Sequence, residues 1–303
     1  MITKGPYAVE ARKSSIRMLI RTMRIRQWTK NVFVLSPLLF SKHLFDYHIV
    51  LHAVAGFFLF SMIASAIYVL NDIVDAEIDR QHPVKRQRPI ASGALSITFA
   101  ASAVAVLVPV TLVLAWLVHS GFAVVLGVYF ALNVVYSYAL KKAVIIDVMT
   151  IAASFVLRIV AGAVIIDVPI SEWLLICTSL LALFLGFSKR RHEMTVLEKD
   201  AHVHRPVLME YSTYFLDQMI SLVTASTLIC YILYTVAPET VDKFGKGLLF
   251  TAPFVLYGLF RYYYLVHQKN TGGDPTTEFL SDKALLGNVT LWALTVIVII
   301  YMT

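Results

Sequence analysis

Long apolar stretches recur along the whole chain, separated by short segments rich in charged residues, proline or glycine. Dividing the chain at these breaks predicts nine membrane-spanning helices, because about 20 consecutive apolar residues cross the hydrocarbon core of a bilayer. The predicted spans are 29–44, 49–71, 94–118, 121–140, 145–166, 169–188, 214–236, 247–267 and 284–302. The pattern therefore predicts an all-α, polytopic membrane protein that forms one integral membrane domain over 1–303.

Basic residues are distributed unequally between the two ends of these spans. If the N-terminus lies inside, the outer loops contain only Lys42, Lys243 and Lys246 among all lysines and arginines. The positive-inside rule therefore predicts a cytoplasmic N-terminus and an outer C-terminus in the inner (plasma) membrane. Residues 1–28 are predicted to form a basic amphipathic helix on the inner membrane surface, since apolar and basic positions alternate there at helical spacing.

The composition agrees with a membrane protein and argues against other classes. Hydrophobic residues make up 58% and charged residues only 15% of the chain, whereas about a quarter of a soluble domain is charged. The net charge of +7 fits inner loops that face anionic membrane lipids. Binding of nucleic acid is not expected, because no soluble domain is present to carry it. Cys177 and Cys230 fall in apolar spans and are interpreted as packing residues.

The strongest chemical signal is an acidic segment at the inner end of the second predicted span. Asn71, Asp75 and Asp79 are spaced i, i+4, i+8, which predicts a stack on one helix face with Asp72 beside it. Carboxylates this close repel one another unless a cation lies between them, and hard oxygen ligands suit Mg²⁺. The basic residues that follow are Lys85, Arg86 and Arg88. Acidic residues for Mg²⁺ beside basic residues for phosphate are what a diphosphate substrate requires.

The N-D-x-x-D-x-x-x-D pattern from Asn71 to Asp79 resembles the first aspartate-rich motif of the UbiA superfamily of intramembrane prenyltransferases. The resemblance extends over nearly the whole chain. It implies nine helices around a central cavity that faces the cytoplasm. Members usually carry a second motif, D-x-x-x-D, after the sixth span, but here Lys189 and Glu193 occupy those two positions. A Lys-Arg-Arg cluster suits a bare phosphate better than a second metal-bound diphosphate.

This altered second motif, with the segment Arg24–Asn31, is similar to one branch of the superfamily, the decaprenyl-phosphate phosphoribosyltransferases. Further matching segments are Arg86–Gly93, Tyr136–Tyr138 with Lys141, Arg158 before Ala161 and Gly162, and Gly273–Pro275 with Asp282. Ile25 stands where proline is expected. The resemblance implies Mg²⁺-dependent transfer of 5-phosphoribose from phosphoribosyl diphosphate (PRPP) to a polyprenyl phosphate, with release of pyrophosphate, in cell-envelope biosynthesis.

Charge pattern and resemblance together predict the site residues. The predicted catalytic residues are Asp72, Asp75, Asp79 and Lys189, and the predicted Mg²⁺ ligands are Asn71, Asp72, Asp75 and Asp79. The predicted substrate-binding residues are Asn71, Lys30, Lys85, Arg86, Arg88, Tyr138, Lys141, Arg158, Arg190 and Glu193. Because Arg158 lies deep in its span, where an arginine must be paired or face a wet cavity, we favour a phosphate contact over a structural partner.

Two other functions remain as alternatives. A conventional UbiA-type prenyltransferase would move a prenyl group from its diphosphate to an aromatic acceptor, but an acidic residue is then expected in place of Lys189. A transporter of a phospholipid or phosphorylated metabolite would explain the intramembrane Arg158 but not the acidic cluster. The sequence leaves open the prenyl chain length, the number of Mg²⁺ ions, which basic residues contact donor or acceptor, and the oligomeric state, for which a homotrimer is one option.

Overall fold

The computed structural model describes residues 15–196, 206–269, 278 and 281–302, and these residues contain helices and no strand. In chain order the helices are α1 (15–22), α2 (Ser36–Phe40), α3 (Tyr47–Val74), α4 (Ala76–Gln81), α5 (Ile97–Val118), α6 (Ser120–Tyr138), α7 (Ile146–Ile165), α8 (Glu172–Val196), α9 (Thr213–Val236), α10 (Pro238–Phe244), α11 (Ala252–Gln268) and α12 (Lys283–Met302). Short 3₁₀ segments are Ile25–Leu35, Lys85–Gln87, Leu140–Lys142, Pro206–Glu210 and Lys246–Thr251. The predicted all-α class is confirmed.

Seven of the described helices are long and apolar enough to cross a membrane, namely α3, α5, α6, α7, α8, α9 and α12. The chain is therefore a membrane protein. The other two predicted spans are not continuous α-helices. Residues 29–44 fall on the 3₁₀ segment Ile25–Leu35 and the five-residue helix α2, and residues 247–267 fall on Lys246–Thr251 and the 17-residue helix α11.

Proline explains where these two predicted spans divide. Pro37 and Pro253 lie in the first turns of α2 and α11, the position where a missing N–H leaves no hydrogen bond unmade. An α-helix therefore begins one residue before each proline, at Ser36 and at Ala252, and the preceding 3₁₀ segment is not part of it. A nine-span topology and a central cavity open to the cytoplasm remain predictions.

The prediction of one helix over 1–28 is wrong in the part that the structure describes, and residues 1–14 lie outside that part. Helix α1 ends before a turn at Arg24, whose φ of 52° and ψ of 54° are left-handed, and an α-helix cannot continue through this conformation. The amphipathic character is present in α1. Ile16 and Ile20 are 45% and 48% exposed, whereas Leu19 packs against the buried cluster at the end of α3.

Close backbone approach at glycine holds the 3₁₀ segment Ile25–Leu35 against α7. A Cβ built on Gly162 would lie 1.9 Å from the carbonyl oxygen of Val34, so only glycine fits there without movement. Small residues that let backbones meet in this way are typical of helix packing in membranes. Gly186 plays a similar part between α8 and α7, where an added Cβ would lie 2.6 Å from Val148 Cγ1.

Charged and polar contacts between helices show which helix ends lie together at each end of the bundle. The end of α3 meets the end of α6 through Asn71 and Ser137, and the end of α8 meets the start of α9 through Arg191 and Asp217. At the opposite end, His119 lies 3.1 Å from a carboxylate oxygen of Asp167. The start of α7, which follows α6 in the chain, meets the end of α8 through Asp147 and Arg190, so the acidic motif lies at the same end of the bundle as the altered second motif.

Candidate active site

The acidic motif lies across a break between α3 and α4. Helix α3 ends at Val74, and Asp75, with φ of −90° and ψ of 2°, precedes α4. The backbone hydrogen bonds from Asp75 N to Asn71 O (2.9 Å) and from Asp79 N to Asp75 O (2.8 Å) still follow the helical path. The side chains, however, have separate cationic or polar partners. Asp72 and Asp79 contact Arg88, whereas Asn71 and Asp75 contact residues at the end of α6; the predicted shared role of the four as Mg²⁺ ligands stays a prediction.

Asp72 and Asp79 share one arginine. Arg88 Nη1 donates to Asp79 Oδ2 at 2.5 Å and lies 3.2 Å from Asp72 Oδ1. Arg24 forms a second ion pair with Asp72. Both carboxylates are 2% exposed and lie seven residues apart, which is about two helical turns and hence one face. Burial raises the pKa of the Asp79 carboxyl, and the Arg88 guanidinium opposes that shift.

Asn71 and Asp75 face the end of α6 instead. The Ser137 hydroxyl donates to Asn71 Oδ1, and Lys141 Nζ donates to Asp75 Oδ1 at 2.5 Å. The structure thus brings the predicted Lys141 to the acidic motif over 66 positions of sequence. Tyr138, on the last turn of α6, is 57% exposed.

A basic pocket of about 320 Å³ adjoins the Asp72 and Asp79 pair. Its lining residues are Arg21, Thr22, Arg24, Asp72, Val84, Lys85, Gln87, Arg88 and Pro89. Lys85 and Arg88 were predicted site residues. Arg86 was predicted as well, but its side chain is exposed and it does not line the pocket. Arg21 and Arg24 were missed as site residues, since only the folded chain places α1 beside the acidic motif.

The donor chemistry at this motif fits a divalent cation. Among the described residues, no three His, Cys, Asp or Glu side chains gather as a ready metal site. Arg88 Nη1 instead lies between carboxylate oxygens of Asp72 and Asp79, the place and charge that a bound cation would take. Two buried carboxylates that share one cationic group provide the hard oxygen ligands that suit Mg²⁺.

The altered second motif contains a buried ion pair. Arg190 is 1% exposed and donates from Nε to Asp147 Oδ2 and from Nη1 to Glu193 Oε2, each at 2.6 Å. Tyr211 donates to the other oxygen of Asp147 at 2.8 Å, and burial raises the pKa of Tyr211 to about 12. Arg190 and Glu193 therefore have protein partners in this structure, and their predicted substrate contacts remain predictions.

Asp147 was missed by the sequence reasoning, although it is fully buried and accepts both of these contacts. A carboxylate inside an apolar span is rare and marks a partner or a function, so its position within 145–166 was an available signal. Lys189 precedes Arg190 on α8 and is half-buried, as is Lys30 in the 3₁₀ segment. Their predicted substrate contacts remain predictions.

Arg158 is held by neutral groups in the bundle core. It is 4% exposed, and it donates to Asn31 Oδ1 at 2.9 Å, to the Ser154 carbonyl at 2.7 Å and to the Tyr129 hydroxyl at 3.0 Å. Three aromatic rings lie within 5.3 Å of its guanidinium carbon, which adds cation–π attraction. These contacts are the structural partners that stood as the alternative for Arg158, and the favoured phosphate contact stays a prediction.

Two further charged contacts join the later helices. Asp217 accepts from Arg191 Nε at 2.5 Å and lies 3.0 Å from His267 Nε2. Asp282 pairs with Arg261 at 2.8 Å, and this hydrogen bond lowers the pKa of the Asp282 carboxyl. The predicted match at Gly273–Pro275 lies outside the described residues.

Comparison with known proteins identifies the family of this chain. The sequence profile described as UbiA prenyltransferase family matches residues 32–282. A decaprenyl-phosphate phosphoribosyltransferase of Mycobacterium tuberculosis is 31% identical over 92% of both chains. Another protein of that name, from Mycolicibacterium smegmatis, is 33% identical over 76% of this chain and 74% of its own. A structure of a UbiA homologue from Archaeoglobus fulgidus bound to GPP and Mg²⁺ superposes with a TM-score of 0.72, at 17% identity, over 93% of this chain and 99% of its own.

Proposed function

The chain belongs to the UbiA prenyltransferase family, and from that premise we propose that it transfers 5-phosphoribose from PRPP to a polyprenyl phosphate, with release of pyrophosphate. The geometry that supports this reaction best is the Asp72 and Asp79 pair at the edge of a basic pocket. In this arrangement the carboxylates that would bind a metal lie beside the basic side chains that would bind phosphate. Lys189, where an acidic residue is usual in the family, favours a monophosphate as the second substrate.

Asp72 and Asp79 would hold Mg²⁺ on the donor diphosphate, with Asn71 and Asp75 on the adjacent face as the other predicted ligands. When bound, the ion would neutralise the negative charge that develops on the leaving pyrophosphate. Arg88 lies against both carboxylates, and it would turn to the phosphate oxygens when the metal takes its place. Bidentate contact between guanidinium and phosphate is strong and directional.

The polyprenyl phosphate would attack the anomeric carbon of the ribose through a phosphate oxygen, and the bond from that carbon to the diphosphate would break. No strong general base is required, because the attacking phosphate is already ionised near neutral pH. Lys141 and Lys189 would orient the attacking phosphate, so catalysis is mainly positioning and charge stabilisation. In-line attack inverts the anomeric centre and yields a β-linked product from the α-linked donor.

We also propose that the active site faces the cytoplasm of an inner (plasma) membrane. The predicted inner segments carry nearly all of the basic residues, and PRPP is a water-soluble substrate. The lipid substrate would reach the site from the surrounding bilayer. The whole chain would serve as one membrane domain in this arrangement.

Incubation of the purified protein with PRPP, a polyprenyl phosphate and Mg²⁺ tests the proposal. Mass analysis should show a lipid heavier by one phosphoribosyl group, formed together with pyrophosphate and only when all three components are present. Chelation of Mg²⁺ should stop the reaction. Prenylation of 4-hydroxybenzoate from a prenyl diphosphate, with no lipid product from PRPP, would support the conventional prenyltransferase instead.

A further inference from the structure

The basic pocket beside Asp72 is lined by more basic than acidic side chains. Four basic side chains, Arg21, Arg24, Lys85 and Arg88, line it together with one carboxylate. We infer that this pocket binds the terminal phosphomonoester of the sugar donor, and that Arg21 and Arg24 are binding residues for it. The inference rests on the proposed function and identifies which basic residues contact the donor.

The partners of Asp72 explain why an anion is needed there. In this structure Asp72 accepts from both Arg24 and Arg88. A metal ion on Asp72 would compete with both arginines for the same oxygen, and the displaced guanidinium groups would then require another anion. A phosphomonoester, with about two negative charges and three acceptor oxygens, meets that requirement close to the metal-bound diphosphate.

The polarity of the pocket selects the soluble donor over the lipid acceptor. Only Val84 and Pro89 among the lining residues are apolar, and Val84 is 70% exposed. A polyprenyl chain needs a continuous apolar surface, which this lining does not provide. The volume of about 320 Å³ suits a small sugar phosphate, since small-molecule pockets begin at roughly 300 Å³. The lipid phosphate would then approach from the side of Asp75 and Lys141.

The conformation of Arg24 is an independent sign of a binding role. Its left-handed backbone, with φ of 52°, is disfavoured for a residue with a side chain, and such conformations concentrate at ligand sites. Its guanidinium carbon lies 5.3 Å above the Tyr68 ring, which fixes the side chain at the pocket wall. Arg21, one turn earlier on α1, is exposed and forms no ion pair with any carboxylate that the structure describes.

Binding of ribose 5-phosphate to the purified protein, measured by calorimetry without acceptor, tests the inference apart from turnover. Arg21→Gln and Arg24→Gln should each weaken its affinity by about tenfold, as expected for one lost charge-assisted contact. Arg17→Gln is the matched control, because it removes the same charge from the same helix outside the pocket. If Arg24→Gln, which removes one of the two arginine partners of Asp72, fails to fold, Arg21→Gln alone decides the test.

A second ligand separates the two phosphate sites. Pyrophosphate with Mg²⁺ should bind to Arg21→Gln as it binds to the wild type, whereas Asp75→Asn should weaken pyrophosphate and leave ribose 5-phosphate unchanged. The inference would be overturned if both arginine variants bound ribose 5-phosphate as tightly as the wild type does. It would also be overturned if a wild-type protein that uses PRPP did not bind ribose 5-phosphate. A third contrary result would be that the two arginine variants lose binding of polyprenyl phosphate and keep binding of ribose 5-phosphate. If ribose 5-phosphate binding depended on Arg21 but PRPP gave no lipid product, the pocket would stand as a sugar-phosphate site and the proposed reaction would be rejected.

Discussion

Substitution of Gly162 by alanine should separate two elements on which the site depends. The added Cβ would lie 1.9 Å from the Val34 carbonyl oxygen and 2.8 Å from its carbon. Close carbon–oxygen contacts in proteins are about 3.3 Å, so α7 and the 3₁₀ segment Ile25–Leu35 must move apart by roughly 1.4 Å. Both contacts are with backbone, which cannot turn aside as a side chain can.

That movement would break the hydrogen bonds that tie the 3₁₀ segment to its neighbours. Asn31 bonds to Arg158 at 2.9 Å and to Ser61 at 3.0 Å, and Trp28 bonds to Ser65 at 3.0 Å. Overpacking costs about 1–3 kcal/mol, and a lost hydrogen bond to a charged group costs about 1.5–3 kcal/mol. We therefore expect Gly162→Ala to lower the free energy of unfolding by about 3 kcal/mol or more.

Catalysis should also fall, since Arg24, which pairs with Asp72, lies immediately before the displaced segment. A misplacement of about 1 Å can reduce the rate about 100-fold. Thermal unfolding in detergent and phosphoribosyl transfer would be measured on the same preparation. Gly127→Ala is the matched control, because a Cβ there meets nothing within 4 Å. Wild-type stability and activity in Gly162→Ala would refute this account of the packing.

Four other outcomes are expected. Asp79→Asn should abolish turnover at millimolar Mg²⁺ because the amide loses the charge of a metal ligand, while thermal unfolding stays near that of the wild type because Arg88 is partly exposed and keeps Asp72 as a partner; near-normal activity would remove Asp79 from the ligand set. Asp147→Asn should lower stability by about 3 kcal/mol, since it leaves the buried Arg190 without its full counter-charge, and an unchanged unfolding temperature would contradict that. Lys189→Asp should raise the KM for the lipid phosphate through charge repulsion, and an unaffected KM would argue against a phosphate contact. Reporters fused after Thr303 and within 197–205 should be active on opposite sides of the membrane, and activity on one side would rule out nine spans.

Structural features that depend only on residues close together in the sequence could be predicted from the sequence alone. Apolar stretches of membrane-spanning length predicted the helical membrane class, because the bilayer requires backbone hydrogen bonds to be satisfied within each helix. The spacing from Asn71 to Asp79 likewise indicated clustered oxygen ligands, since positions three or four apart lie on one side of a helix. These inferences required only the local periodicity of the chain.

The partners of those residues depended on tertiary structure. Arg24 reaches Asp72 across 48 positions, Arg190 reaches Asp147 across 43, and no periodicity within one helix carries that information. Arg88 and Lys141 likewise approach the acidic motif from different elements and pair with different carboxylates, Asp79 and Asp75. A buried charge in a membrane needs a partner close to it in the folded chain, so the amino-acid pattern specifies which groups carry charge, and the packing of the helices specifies which of them meet.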